Sequence, residues 1–331
     1  MARFGIQHLA AVASILAFGV VVLGAFVRLT DAGLGCPDWP GCYGQVGVPD
    51  REAVSGDYGR PLEPAKAWKE MIHRYFAGTL GLVIAGLGVW AWRRRHQPGE
   101  SPALPLFLVA LVVFQAVLGM WTVTWLLKPL VVTAHLLGGM ATLALLWWLA
   151  LRRGQWLGAA KQADPGWRKG ALIALLVLVA QIVLGGWTSA NYAALACPDF
   201  PACYQGQWWP RTDFGEAFTL WHGLGIDYEG GVLTHPARTA IHLTHRIGAV
   251  VTLVVVGTVA AGLMRAGKSR PVRHLAGGIA LLLLGQVALG IANVVFGLPL
   301  VVAVAHNAVA AALVVALVTL NHVLRPVASM A

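Results

Sequence analysis

Of the chain's 331 residues, 58% are hydrophobic and only 11% are charged, a balance far outside that of a soluble domain. Eight apolar stretches of about 20 residues cannot share one globular core, which excludes a soluble enzyme, a disordered chain, a collagen and a disulfide-dense mini-protein, and leaves an integral membrane protein. The net charge of +10 would suggest nucleic acid in a soluble chain, but here the charges sort by side of a membrane.

The predicted spans are 8–28, 68–92, 104–126, 129–150, 170–192, 238–263, 273–296 and 299–322. The first is longer than a signal-peptide core and runs into Arg28 without a small-residue cleavage site, so it is read as a retained helix. Only the connections 29–67 and 193–237 are long enough to hold structure of their own. Arg3, Arg93–Arg95, Arg152, Arg153, Lys161, Arg168, Lys169, Arg265, Lys268, Arg270, Arg273 and Arg325 fall in the termini or after the second, fourth and sixth spans, with only Glu100 and Asp164 beside them. The opposite side holds Asp31, Asp38, Asp50, Glu52, Asp57, Glu63, Asp199, Asp213, Glu216, Asp227 and Glu229. The positive-inside rule then places both termini in the cytoplasm and both long loops outside.

The chain repeats internally. LGAFVRLTDAGLGCPDWPGCYG from Leu23 recurs as LGGWTSANYAALACPDFPACYQ from Leu184, so Gly24, Cys36 and Cys42 map onto Gly185, Cys197 and Cys203. His73-Arg74 maps onto His245-Arg246, and Gln115, Gly119 and His135 map onto Gln286, Gly290 and His306, after a second loop about 11 residues longer. An all-α fold is expected: two tandem, pseudo-symmetric four-helix bundles, 1–155 and 156–331, related as a parallel repeat because each half has an even number of spans.

Polar residues inside apolar spans are costly and therefore functional suspects. At 1.5 Å per residue, His73, His135, His245 and His306 all lie roughly 9–11 Å below the outer boundary. One pair per bundle, on alternate helices, is the arrangement of two hemes clamped between facing helices. Arg74 and Arg246 follow their histidines near the interface, where a guanidinium reaches either a heme propionate or the lipid headgroups. Small residues near each histidine, among them Gly78, Gly138, Gly248 and Ala310, suit a flat macrocycle and equally suit helix contact. Glu70, one turn before His73, is replaced in the second half by His242. The carboxyl suits proton handling beside a reacting centre, or an ion pair with Lys69 or Arg74; His242 reads as a hydrogen-bonding partner. His8, His96, His222, His235, His274 and His322 read as interfacial histidines.

CPDWPGC and CPDFPAC face an oxidising compartment, so Cys36 with Cys42 and Cys197 with Cys203 are the natural disulfides, either staples or redox relays. A zinc site built from all four cysteines is the weaker alternative, since the spacing is not C-x-x-C.

Together, RLTDAGLGCPDWPGC, EMIHR, the TAH of span four, the THR of span six, the AHNA of span eight and the cysteine-bearing loops resemble the heme A synthase family of cytochrome oxidase assembly enzymes, in its bacterial subtype, over nearly the whole chain. The resemblance implies oxidation of a ring methyl of heme O to the formyl group of heme A, by oxygen-dependent hydroxylation to a gem-diol and loss of water. It implies a permanent heme b on His245 and His306, a substrate heme on His73 and His135, and a catalytic role for Glu70. It also implies a bacterial inner membrane, a heme O synthase as supplier, and an electron donor that it does not name. No nucleic acid is involved, and a homo-oligomer is compatible with it. The sequence departs from the family pattern at Asp31-Ala32, and Arg28 has no basic counterpart at Ser189 or Asn191. The rival from another class is a di-heme carrier that oxidises quinol without porphyrin chemistry. A repeat-built transporter would want a midplane site, whereas these polar residues lie near one face.

Overall fold

The computed structural model describes residues 5–50, 52, 54, 56–98, 100–154, 165–267 and 269–325. Arg3, Lys161, Asp164, Lys268 and the 155/156 boundary lie outside them. The elements are α1 (Ile6–Leu29), α2 (Pro64–Arg93), α3 (Ala103–Thr124), α4 (Pro129–Arg153), α5 (Pro165–Ala190), the single turn α6 (Phe214–Ala217), α7 (His235–Ala266), α8 (Arg270–Val295) and α9 (Leu300–Val323). All but α6 are long and apolar enough to cross a bilayer, and the protein is a multi-pass membrane protein.

Several helices begin where the sequence supplies a stiff first turn. Proline occupies the first turn of α2, α4, α7 and α8, where its missing N–H costs nothing. Basic residues sit in the last turn of α1, α2, α4 and α7, matching the negative end of the helix dipole. Several helices outrun the apolar windows, most clearly α7, which runs from His235 to Ala266 rather than 238–263, because backbone hydrogen bonding continues past the hydrocarbon boundary. The tight connections α3–α4 and α8–α9 each turn through two left-handed residues, Leu126 and Leu127 in one and Gly297 and Leu298 in the other, at corresponding places in the repeat.

Packing follows the repeat. In the first half α1 meets α2, α2 meets α3, α3 meets α4 and α4 returns to α1; α5, α7, α8 and α9 close the second ring in the same order. The rings meet through α1–α9 and α4–α5, which the repeat interchanges, and through α4–α9 on the pseudo-axis. Small residues let the helices approach there, with Ala10, Ala13, Ala17, Ala171, Ala174 and Ala311 almost fully buried. Trp147 Nε1 donates to Thr319 Oγ1 at 2.7 Å between α4 and α9, and Asn321 donates to the Ala171 carbonyl at 3.0 Å between α9 and α5. Outward positions remain apolar, with Ile15, Leu82, Leu281 and Val301 more than 70% exposed, as a lipid-facing surface requires.

Both long loops lie at the end of the bundle where α1 and α5 finish. Arg28 crosses between the halves there: its guanidinium donates to the Ser189 carbonyl at 2.6 Å and lies 4.1 Å from the centre of the Tyr192 ring. Arg28 and Ser189 are repeat equivalents, and a second arginine at 189 would bring two like charges together. The missing basic counterpart therefore has a physical cause.

The longer second loop uses its extra length on the other half. Lys128, at the N-terminus of α4, donates to the Gly223 carbonyl at 2.6 Å and sits 2.9 Å from the centre of the Trp221 ring. Tyr228 N–H donates to the Leu126 carbonyl at 3.0 Å, and its ring is buried with Leu34, Val123 and Leu127. Arg60 of the first loop pairs with Asp227 and with Glu229. Residues 221–229 thus roof the first bundle.

Cys36–Cys42 and Cys197–Cys203 are disulfides and no cysteine among the described residues is free, which removes the four-cysteine zinc alternative. Alkylation of the native oxidised protein should leave all four cysteines unmodified by mass mapping. Each bridge closes a short ring, so Cys36→Ser with Cys42→Ser should lower stability by about 2 kcal/mol in a denaturant titration.

Candidate functional site

The site is built from four helices that contribute one imidazole each to it. His73 on α2 and His135 on α4 stand across the first ring, and His245 on α7 and His306 on α9 across the second. All four rings are half-buried. Nδ1 of His73, His135 and His306 is buried without a hydrogen-bond partner. An unpartnered polar atom inside a membrane bundle is unfavourable unless something else engages the ring.

Each ring rests against a glycine of the preceding span. A Cβ placed on Gly24 would lie 3.0 Å from Cε1 of His73, one on Gly119 3.4 Å from His135, one on Gly185 3.2 Å from His245 and one on Gly290 3.2 Å from His306. The four glycines are repeat equivalents in pairs, so the same notch is cut four times. Such notches hold each imidazole edge-on to its neighbouring helix, a geometry suited to axial ligands of a planar macrocycle. Among the described residues no group of three or more His, Cys, Asp or Glu side chains could chelate a bare metal ion.

Above the rings, Glu70 and Arg74 form a clamp on the first cysteine loop. The buried Glu70 carboxylate accepts the Cys36 N–H at 2.8 Å and pairs with Arg74 at 2.5 Å. The Arg74 guanidinium donates to the carbonyls of Asp38 at 3.0 Å and Pro40 at 3.2 Å, and to that of Gly41. In the second half His242 takes Glu70's place: Cys197 N–H lies 3.1 Å from its Nδ1 and Arg246 Nε 3.3 Å from its Nε2. Arg246 donates to the carbonyls of Cys197 at 2.7 Å, Asp199 at 2.9 Å and Ala202 at 3.0 Å. A carboxylate accepts from both donors at once, whereas a neutral imidazole accepts at one nitrogen only, so the first clamp is the better satisfied. Both arginines are turned toward loop carbonyls, and Glu70 is paired with Arg74 rather than Lys69.

A family model described as cytochrome oxidase assembly protein matches residues 7–318. The chain belongs to this family. It is similar to a heme A synthase of Shewanella oneidensis, 46% identical over 311 residues and 92% of each chain. A heme A synthase of Caulobacter is 30% identical over 91% of each chain, and one of Rhizorhabdus wittichii 29% identical over 93% of this chain and 91% of its own.

Within this family frame, two features escaped the reading of the sequence. Gly24, Gly119, Gly185 and Gly290 register in it as repeat markers and not as ring contacts, because a helical glycine has no pattern that tells lipid from imidazole. Gln181, whose amide meets His245, corresponds to Val20 at the repeat offset and so carried no repeat signal. His235 bonds Thr239 at the start of α7, away from the four rings.

Gly185→Ala and Gly290→Ala provide a direct check of the notches. Alanine favours the helix by about 1 kcal/mol, so helix content and thermal stability should hold or rise. The added methyl should push the ring aside, lowering severalfold the amount of imidazole-ligated chromophore per protein. Unchanged chromophore would contradict the packing argument.

Proposed function

We infer that the chain is a membrane-bound oxidoreductase that makes heme A by oxidising a ring methyl of heme O to a formyl group. The observation that carries this is the doubled pair of imidazoles, each notched against a glycine, in a member of a family whose relatives are heme A synthases. In this reading His245 and His306 hold a resident heme b and His73 and His135 hold heme O. Bound heme b supplies one-electron transfer. The half-buried rings and unpartnered Nδ1 atoms support ligation. The termini are cytoplasmic and the cysteine loops periplasmic, since basic residues gather at the opposite end.

The chain's own groups have definite tasks. The imidazoles fix the height of both macrocycles in the bilayer. Glu70 and Arg74 hold the first loop over the substrate ring, and the roof of residues 221–229, pinned by Lys128 and Arg60, shields that ring from water. Glu70 is the acidic group nearest His73 in sequence on that helix and is the residue we assign to proton transfer during methyl oxidation. Arg74 and Arg246, set between loop and rings, are the cations available to the propionates. Heme O synthase is the class of enzyme that supplies the substrate.

A di-heme carrier would yield only heme b on extraction, whereas this enzyme should yield heme A or an oxidised intermediate when heme O is supplied. His245→Ala and His306→Ala should abolish a low-spin heme b spectrum, while His73→Ala and His135→Ala should retain it and lose turnover. Glu70→Gln should keep heme binding and slow heme A formation by about 10²- to 10⁴-fold, measured as heme A over heme O normalised to heme b. Wild-type proportions of heme A would remove Glu70 from the mechanism and leave it a loop clamp.

A further inference from the structure

The second long loop differs from the first in kind as well as in length. Between its disulfide and α7 it carries Trp208, Trp209, Phe214, Phe218 and Trp221, whereas the first loop has no tryptophan and no phenylalanine between Cys42 and α2. Most of these rings turn outward: Trp208 is 67% exposed and Trp209 57%, and Phe214 and Leu220 are exposed beside them. Trp209 stacks on Phe214 with ring centres 6.1 Å apart, and Phe214 on Phe218 at 6.4 Å, so α6 presents a column of aromatic faces. Beyond α6, Trp221 meets Trp125 edge-on at 6.1 Å and carries the aromatic line to the end of α3.

The depth of this column is set by what holds α6. Trp187, in the last turn of α5, donates from Nε1 to the Ala217 carbonyl at 2.9 Å. Helical side chains lean toward the helix N-terminus, so this contact lies beside α5 rather than above its end. Asp213 N–H donates to the carbonyl of Pro236, in the first turn of α7, at 3.2 Å. Ala217 is buried in one cluster with Trp187, Ala237, Ala240 and Ile241. Trp187, Ala240 and Ile241 belong to the apolar spans 170–192 and 238–263, which puts α6 at the hydrocarbon boundary. Among the described residues its backbone approaches neither α8 nor α9, so it lies on the outer flank of α5 and α7 and not across the mouth of their ring.

We propose that α6 and the aromatic residues flanking it form an interfacial anchor, seated at the headgroup–acyl boundary of the leaflet on the loop side, that ties the leading end of the roof to the bilayer. An exposed apolar surface at this depth is continuous with the lipid-facing surface of the spans. Tryptophan suits that level because its indole joins an apolar body to a single N–H donor. The carboxylates of α6 and its cap turn inward: Asp213 accepts the Glu216 N–H at 3.0 Å, and Glu216 accepts the Thr234 N–H at 2.9 Å. The outward column is left without charge of its own, as contact with lipid requires. The roof then has two moorings, Lys128 and Arg60 within the protein and lipid at the segment that leads into it.

The test uses the full-length protein in nanodiscs of phosphatidylcholine and phosphatidylglycerol. Its native cysteines are held in disulfides, so a nitroxide reacts only with an introduced thiol. Leu220→Cys and Trp208→Cys place the label beside the ring stack without breaking it, and Leu281→Cys on the lipid-facing side of α8 gives the hydrocarbon reference. Power-saturation EPR compares collisions with oxygen, which enters the bilayer, against those with a water-soluble nickel chelate. Both loop labels should meet oxygen several times more effectively than the chelate, as the Leu281 label does. Phe214→Ser with Phe218→Ser should raise chelate access at the Leu220 label severalfold. If Leu220→Cys does not accumulate, Trp208→Cys carries the test. Free access of the chelate to both loop labels overturns the proposal, because the segment then lies in water. Protection from both agents also overturns it, since protein then covers the patch, and dipolar broadening between labels identifies that cover as a second copy of the chain. A serine pair that leaves chelate access unchanged refutes the aromatic column as the anchor.

Discussion

A polar ring placed inside a bilayer has no water to turn to, so the protein must supply its partner or leave it for a ligand. The rest of the structure is arranged around that constraint. Four imidazoles enter apolar helices, and each lies against a glycine of the neighbouring helix, where a Cβ would stand 3.0–3.4 Å from the ring and crowd it. Closure of each half into a ring of four helices then places the two imidazoles of a half on alternate helices of one ring. Helix packing that elsewhere in membranes serves association alone here also fixes the separation of two imidazoles.

The clamps between rings and loops depend on the same economy of polar groups. Each cysteine loop is fastened to the helix beneath it by one arginine that collects loop carbonyls and by one acceptor that takes the N–H of the loop's first cysteine. The disulfide closes the loop and the arginine anchors it, so the mouth of each bundle is rigid without a large core of its own. Where the halves diverge, they diverge in acceptor chemistry: a carboxylate in the first half and an imidazole in the second. The carboxylate accepts from both donors at once, which a neutral imidazole does not.

The relation between the halves also explains features that look irregular in one dimension. The extra length of the second loop buys a roof for the first bundle, held by Lys128, Tyr228 and Arg60. Arg28 has no basic twin because its twin position lies within reach of its own guanidinium.

The sequence alone determined the eight spans, the repeat and the cysteine pairing, because each leaves a one-dimensional trace: length of apolar run, constant offset, compartment and spacing. The pairing of Glu70 with both Arg74 and the Cys36 N–H was open in the sequence, since an i, i+4 partner on the helix and a backbone donor some 34 residues away compete for the same carboxylate. The glycine notches, the amide grip of Gln181 on His245 and the roof over the first bundle were decided only by tertiary structure. Their partners lie on different helices or in different halves, and no periodicity links residues brought together solely by the crossing of separate elements.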